Sequence, residues 1–195
     1  MYLYLVRHGQ SVGNVVKTFH GQTDYPLTEK GREQARETAE KLREVTFTRC
    51  CASDLSRAWD TALICLEGRS VTAEVCPGLR EQNVGDIEGL TWEQMEARYP
   101  HVIHPYIEDW FNTIPPGGES PEEMAARVAD CVDGIIQQGE DTLVVAHNGS
   151  LTLILTHLGL LSREQALTQD FFFAQGTYSA IRIEDGTAEL VHFNC

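Results

Sequence analysis

Short apolar runs that alternate with helical patterns constrain the fold of this chain more than any other feature. The runs cover residues 1–6, 49–52, 71–76 and 142–146, and helical segments lie between them. Such alternation is typical of a parallel sheet whose crossover helices cover both faces. Two further apolar runs near the end of the chain meet at Asp185-Gly186, which is a hairpin signal. The sequence therefore predicts an α/β fold with a mostly parallel, doubly wound sheet and helices on both faces.

The segment from residue 82 to residue 118 is less regular than the rest. It contains a capping box at Thr91 to Gln94, a helix stop at Pro100 and no helical signal after that proline. It is also rich in aromatic residues, most of which core packing explains. With 195 residues the chain can bury a large core as one domain. We therefore predict a single domain over residues 1–195, in which residues 82–118 form an inserted cap that determines specificity.

Polar residues follow four of the predicted strands. They are Arg7-His8, the segment from Ser53 to Arg57, Arg80-Glu81 and His147. Because parallel strands place their carboxyl ends at one edge of the sheet, we expect these groups to converge. Arginines neutralise a phosphoryl group, a neutral imidazole can attack phosphorus, and a protonated one can bind a phosphoryl oxygen. A carboxyl group can protonate a leaving alkoxide, so the set is suited to phosphoryl transfer.

Arg57 has an unusual position within this set. We predict a helix that has Ser53-Asp54 as its cap and runs to about Leu66, with Arg57 in its first turn. A cation is unfavourable there because the helix dipole is positive at that end. We therefore expect Arg57 and the helix N-terminus to share one anion.

Ordered motifs along nearly the whole chain resemble the histidine phosphatase superfamily, the phosphoglycerate-mutase-like proteins. The resemblance is specific to the small bacterial phosphatase branch, which includes the α-ribazole phosphatases. The motifs are Leu5-Val6-Arg7-His8-Gly9-Gln10-Ser11 through Asn14, Gly21 to Asp24 with Pro26-Leu27-Thr28, Ser53-Asp54-Leu55-Ser56-Arg57-Ala58, Leu79-Arg80-Glu81 with Glu88-Gly89, Gly117-Gly118-Glu119-Ser120 and Val144-Val145-Ala146-His147.

The resemblance implies that His8 is the nucleophile, which forms a phosphohistidine, and that His147 binds the phosphoryl group beside it. Glu81 would protonate the leaving group and then activate water. The implied substrate- and phosphate-binding residues are Arg7, Asn14, Gly21, Gln22, Arg57 and Asn148. Asn148 stands where the family often has a glycine, which is expected to alter the floor of the pocket. The resemblance implies no metal and no organic cofactor.

Three functions are compatible with these residues. We favour a metal-independent phosphomonoesterase that acts on a small phosphorylated metabolite. The first alternative is a cofactor-dependent phosphoglycerate mutase, which holds a bisphosphorylated intermediate with additional basic residues. Arg98 is the one cation between Glu81 and Gly117, so a second phosphate would be poorly compensated. The second alternative is a module that binds phosphoproteins or dephosphorylates them.

The composition of the chain excludes several classes of binding partner and indicates its location. The net charge of −14 argues against nucleic acid and anionic membranes as partners. A small phosphate ester is the partner that the resemblance implies. No apolar run approaches the length of a membrane span, and Met1 opens directly into the first strand without a signal-peptide pattern. The cysteines have no C-x-x-C spacing, which is typical of buried thiols in a reducing compartment. These features predict a cytoplasmic protein without a metal site.

The sequence leaves two interpretations open for several residues and for one strand. Arg80 is either a further phosphate contact or an ion-pair partner. Ser11 and Ser53 either donate to phosphate or cap their turns, and capping is their ordinary role. His20 is either a substrate contact or an exposed loop residue. The apolar strand near Ser179 is either an edge of the sheet or the contact of a homodimer.

Overall fold

The computed structural model describes residues 1–195, apart from the side chain of Gln169. The strands are β1 (Tyr2–Arg7), β2 (Arg49–Ala52), β3 (Ala73–Val75), β4 (Thr142–Ala146), β5 (Ser179–Glu184) and β6 (Thr187–His192). Within the described residues they form one six-stranded sheet in the order β3-β2-β4-β1-β5-β6. Neighbours among β1 to β4 are parallel, whereas β5 runs antiparallel to β1 and β6 antiparallel to β5. The predicted mostly parallel sheet with a C-terminal hairpin is confirmed.

Helices cover both faces of this sheet. They are α1 (Val12–Val16), α2 (Glu29–Lys41), α3 (Ser56–Cys65), α4 (Trp92–Arg98), α5 (Pro100–Glu108), α6 (Pro121–Gln137), α7 (Asn148–His157) and α8 (Arg163–Ala166). On one face α6 and α7 pack on Leu3, Leu5 and Val144, and on the other face α3 packs on Val6 and Val145. Every residue of β4 is buried, as expected for a strand covered on both faces. None of the helices in the described residues is long and apolar enough to cross a membrane.

Two helix predictions are wrong in detail. Ser53-Asp54 does not cap α3, which begins at Ser56 with Leu55 as a cap that makes no side-chain bond. The reason is that Asp54 pairs with Arg80 and Ser53 contacts His147. The sequence predicts no helix after Pro100, yet α5 begins at this residue. Proline fits the first turn of a helix, because the N–H groups there have no partner within the helix.

The helices α2 and α6 have the predicted caps, whereas β3 covers only Ala73–Val75 of the strand predicted over residues 71–76. Thr28 accepts from the N–H of Gly31 at the start of α2, and Ser120 forms a capping box at the start of α6. The strand near Ser179 is β5, which lies between β1 and β6, so it is not an edge of the sheet. The edge on that side is β6. A homodimer stays a prediction.

Residues 82–118 form a small cluster of their own beside the carboxyl edge of the sheet. The helices α4 and α5 bury Met95 and Ile103 against Val84 and Ile87. Phe19, in the loop after α1, joins this cluster through backbone hydrogen bonds with residues 89 and 90. Phe19 packs against Tyr106 of α5, with ring centroids 6.4 Å apart, so α5 and the loop after α1 lie together beside this edge.

Candidate active site

Two histidines meet at the carboxyl ends of the neighbouring strands β1 and β4. The register pairs Arg7 with Ala146, and the N–H of His8 donates to the carbonyl oxygen of Ala146 at 3.0 Å. His8 and His147 are therefore the next residues on two adjacent parallel strands. Their ring centroids lie 5.0 Å apart with planes tilted by 58°. The convergence predicted from the strand exits is present for this pair.

The His8 ring is fixed in one tautomer. Its Nδ1 lies 2.7 Å from the carbonyl oxygen of Gly9, which can only accept, so Nδ1 carries the proton. Nε2 of the neutral ring therefore keeps its lone pair. Burial lowers the pKa of His8 well below 6.5, and the charges of Arg57 and Arg7 lower it further. These effects favour the neutral ring at physiological pH.

The His147 ring is fully buried and its Nε2 lies 2.9 Å from Oγ of Ser53. Ser53 also accepts from the N–H of Leu55, so its hydroxyl hydrogen is free to point at His147. In that arrangement Nδ1 of His147 carries the proton, and this atom is buried without a partner among the described residues. Burial, followed by the charges of Arg57, lowers the pKa of His147 well below 6.5. The ring can therefore donate one hydrogen bond while it is neutral.

Two arginines bring positive charge to the same place. Arg57 is 1% exposed and donates to the carbonyl oxygens of Gly21 at 2.6 Å and Thr23 at 2.9 Å. Arg7 donates to the carbonyl oxygen of Phe173 at 2.9 Å. Neither guanidinium forms an ion pair within the described part of the chain, and the Nε atom of each is buried without a partner. Buried cations that lack a counter-ion are characteristic of an anion site.

The electrostatics of these arginines agree with that assignment. Burial lowers the pKa of Arg7 to about 10 and lowers the pKa of Arg57, while the nearby Glu81 carboxylate offsets part of both effects. A dianion between the two guanidinium groups would supply the compensating charge that the protein itself lacks there. The cavity that they line has a volume of about 370 Å³, and His8, Asn14 and Glu81 also line it. We refer to it as the phosphate cavity.

The Glu81 carboxylate is held by backbone N–H groups. Its Oε2 accepts from Gly149 at 3.0 Å, and its Oε1 accepts from Gln82 at 3.1 Å. A side chain at position 149 would collide with Glu81, because a Cβ atom there would lie 2.3 Å from Oε1. Arg127 fixes the same segment from α6, since it donates to the carbonyl oxygens of Arg80 at 2.8 Å and Glu81 at 2.9 Å.

Glu88 organises the loop that contains Gly21 and Gln22. Its carboxylate accepts from the N–H groups of Gly21, Gln22 and Thr23 at 2.8–3.1 Å and from the Thr23 hydroxyl at 2.6 Å. The carbonyl oxygens of that loop hold Arg57, so Glu88 positions Arg57 through the loop. Only glycine fits at position 21, where a Cβ atom would lie 1.6 Å from the carbonyl oxygen of Gln82. In the sequence Glu88 is visible only as part of the motif Glu88-Gly89, without a sign of this role.

The remaining predicted residues lie around these groups. Asn14 lines the phosphate cavity and accepts from the N–H of Ser11 at 2.9 Å in the capping box of α1, so Ser11 has the capping role. Gln22 donates to the carbonyl oxygen of Glu81 at 3.2 Å. Asn148 accepts from the N–H of Phe173 at 3.0 Å and lines an adjoining cavity instead of the phosphate cavity.

The structure decides between the two interpretations of Arg80 and between those of His20. Arg80 donates from Nε to the Asp54 carboxylate at 2.7 Å, so it is an ion-pair partner. His20 is half-buried and lines both cavities, so it is not an exposed loop residue. Among the described residues, no cluster of three histidine, cysteine or acidic side chains could hold a metal ion.

The two buried histidines predict a stability that depends on pH. Their pKa values are lowered on folding, so below pH 6.5 these two rings bind fewer protons in the folded chain than in the unfolded chain. The free energy of unfolding should therefore fall as the pH drops below that value, by about 1.4 kcal/mol per pH unit for each histidine. Urea denaturation between about pH 7.5 and about pH 5.5 measures this slope.

Variants assign the slope to individual rings. In His8→Asn we expect the dependence on pH to become shallower by the contribution of one histidine. The exposed His101 offers a matched control, and His101→Asn should retain the wild-type slope. Identical slopes in all three proteins would contradict the neutral state of buried His8.

Comparison with known proteins places the chain in a family. The model of the histidine phosphatase superfamily (branch 1) matches residues 3–195. The adenosylcobalamin/alpha-ribazole phosphatase of Salmonella typhimurium is 35% identical over 100% of this chain and 96% of its own length. A probable phosphoglycerate mutase of Erwinia tasmaniensis is 34% identical over 81% of this chain and 75% of its own. A solved structure of a putative alpha-ribazole-5'-P phosphatase from Escherichia coli has a TM-score of 0.90 and 31% identity, and the match covers 100% of this chain and 96% of that one. This chain belongs to the histidine phosphatase superfamily.

Proposed function

We propose that the protein is a phosphatase that hydrolyses a small phosphate monoester through a phosphohistidine on His8. One observation carries the proposal. A neutral imidazole with a free Nε2 lies beside two buried guanidinium groups that have no counter-ion among the described residues. A phosphoryl group supplies the missing charge and the electrophile together.

In the first step Nε2 of His8 attacks phosphorus, and the bond between phosphorus and the ester oxygen breaks. Arg7 and Arg57 neutralise the charge on the phosphoryl oxygens as it develops. Nδ1 of His147 donates a hydrogen bond to one of these oxygens, with Ser53 holding the tautomer. Glu81 transfers its proton to the departing alkoxide, and the alcohol leaves.

In the second step a water molecule attacks the phosphohistidine. Glu81, now a carboxylate, takes the proton of this water, and the bond between phosphorus and Nε2 breaks. Inorganic phosphate is released and His8 returns to its neutral state. The step needs no further group, because Gly149 and Gln82 already orient the Glu81 carboxylate. The reaction proposed here is therefore independent of metal ions.

The mutase alternative has the names of several relatives in its favour. A mutase must return the phosphoryl group to an alcohol that carries a second anion. Arg98, the one cation between Glu81 and Gly117, is exposed on α4 and does not line either cavity beside Glu81. Lys17 lies at the rim of the phosphate cavity as a further exposed cation. The cap segment thus offers no built site for a second phosphate, which favours water as the acceptor.

One assay separates the three functions. The protein is incubated with 3-phosphoglycerate and with p-nitrophenyl phosphate, and both inorganic phosphate and the isomeric phosphoglycerate are quantified. We expect release of phosphate without formation of the isomer, and no loss of activity in EDTA. Formation of the isomer would support the mutase. Retention of a phosphopeptide without turnover of any ester would support the binding module.

The free thiols among the described residues indicate the cellular compartment in which the protein acts. Cys50, Cys51 and Cys65 are buried and unpaired, which is typical of proteins in a reducing compartment. We therefore propose that the enzyme acts in the cytoplasm.

A further inference from the structure

A second cavity adjoins the phosphate cavity and has a different character. We call it the cap cavity, and its volume is about 400 Å³, within the range of small-molecule sites. Apolar and aromatic side chains form most of its wall, namely Phe19, Val84, Tyr106, Ile107, Trp110 and Phe172. Three of these belong to the helix α5 or the residues that follow it. Phe172 also covers the Arg7 guanidinium, with its ring centroid 4.4 Å from that group.

The polar groups of the cap cavity are largely engaged within the protein. The Tyr106 hydroxyl donates to Gln82 at 2.7 Å, and Gln82 in turn donates to the carbonyl oxygen of Glu119 at 3.1 Å. Burial raises the pKa of Tyr106 and lowers the pKa of His20, so both side chains stay uncharged. No lysine or arginine is among the described residues that line this cavity. A carboxylate or second phosphate placed there would have no cation to compensate it.

Glu81 lies at the boundary between the two cavities, together with Phe19 and His20. A group that protonates the ester oxygen must lie beside the bond that breaks. The phosphoryl group is attracted to the cations on one side of Glu81, so the alcohol extends to the other side, into the cap cavity.

We propose that the substrate is the phosphate ester of an uncharged alcohol with a bulky apolar or aromatic body, which occupies the cap cavity. The proposal rests on the proposed function and specifies its substrate class. Apolar surface that leaves water in the transition state lowers the barrier, so the preference should be visible in kcat/KM. Esters of small polyols and of hydroxy acids should be poor substrates by comparison.

The test compares three esters of primary alcohols: 2-phenylethyl phosphate, glycerol 3-phosphate and 3-phosphoglycerate. We expect kcat/KM for 2-phenylethyl phosphate to exceed that for glycerol 3-phosphate by about tenfold or more, with 3-phosphoglycerate the poorest. Equal values, or a preference for either of the polar esters, would overturn the proposed substrate class. Release of no phosphate from any ester would instead overturn the proposed function, so the two failures are distinguishable.

A charge placed in the cap cavity should reverse part of this preference. Ile107 is 49% exposed and lines the cavity, so the variant Ile107→Lys adds a cation without disturbing a buried core position. We expect the ratio of kcat/KM for 2-phenylethyl phosphate over 3-phosphoglycerate to fall by about tenfold. Ile114 is 59% exposed in the same segment but does not line the cavity, so Ile114→Lys should leave the ratio unchanged. Equal ratios in wild type and Ile107→Lys would contradict the proposal.

Discussion

Replacing His8 by alanine should lower the release of phosphate from every phosphate monoester by about 10⁴-fold or more. The reason is that His8 combines a neutral ring, a fixed Nδ1 proton and a place in the phosphate cavity directly beside His147. The same variant should fail to form the acid-labile phosphoryl-protein that wild type accumulates. Rapid quenching with radiolabelled substrate, followed by protein precipitation at alkaline pH, measures that intermediate, while steady-state assays measure turnover.

A second histidine variant serves as the control for this experiment. His101 is exposed at the start of α5 and lines neither cavity, so His101→Ala should retain turnover and labelling. Near-normal turnover in His8→Ala would exclude His8 as the nucleophile. Retained labelling with lost turnover would mean that a different side chain accepts the phosphoryl group.

Replacing Glu81 by glutamine should separate substrates by the quality of their leaving group. Glutamine keeps the shape of the side chain and can still accept from Gly149, but it has no proton to transfer. For an alkyl phosphate, whose alkoxide needs protonation, we expect kcat/KM to fall by about 10²–10⁴-fold. For p-nitrophenyl phosphate, whose phenolate leaves unaided, the first step should slow by less than about tenfold. The formation of the phosphoryl-protein in a single turnover isolates that step.

The second step gives an additional readout in the same variant. Water also needs a base, so Glu81→Gln should accumulate the phosphoryl-protein when p-nitrophenyl phosphate is the substrate. Glu122, exposed in the first turn of α6, provides the control, and Glu122→Gln should behave as wild type. Equal losses on both classes of ester would remove Glu81 from the acid role.

The main lines of the fold follow from local patterns in the sequence. The strand β4 is predicted with its observed bounds because five consecutive residues are apolar or β-branched and turn signals flank them. The start of α6 is equally clear, since Ser120, Pro121 and Glu123 occupy the positions that a capped helix start requires. Such features depend on neighbouring residues alone, and no distant contact changes them.

Distant contacts explain the errors. The sequence predicts that Ser53-Asp54 caps the helix that follows β2, but these side chains bind His147 and Arg80, which come from other strand exits. Local sequence offers a cap, and the tertiary structure uses the same atoms elsewhere. Likewise, the sequence predicts that Arg57 lies near an anion, but not that the loop at residues 21–23 holds its guanidinium group.

The sequence predicts which residues form the site, but not which of them are charged. Strand exits bring His8 and His147 to one edge for topological reasons, which a sequence pattern can anticipate. Whether a histidine there is charged depends on the depth of burial and on the distance to Arg7 and Arg57. Burial and these distances depend on the folded structure and cannot be read from a local sequence pattern. The structure buries both rings beside two arginines, which lowers their pKa values and favours the neutral form.

Glu88 limits how the segment 82–118 can change in evolution. It belongs to the segment 82–118, yet its carboxylate is bonded to the backbone that orients Arg57. The region that we propose to select the alcohol and the region that we propose to bind phosphate are thus connected through this side chain. Specificity can diversify at Ile107 or Trp110 without cost to the chemistry, because neither contacts that carboxylate. A transplant of the whole segment between relatives would preserve catalysis only when the incoming piece carries an acid at the same place.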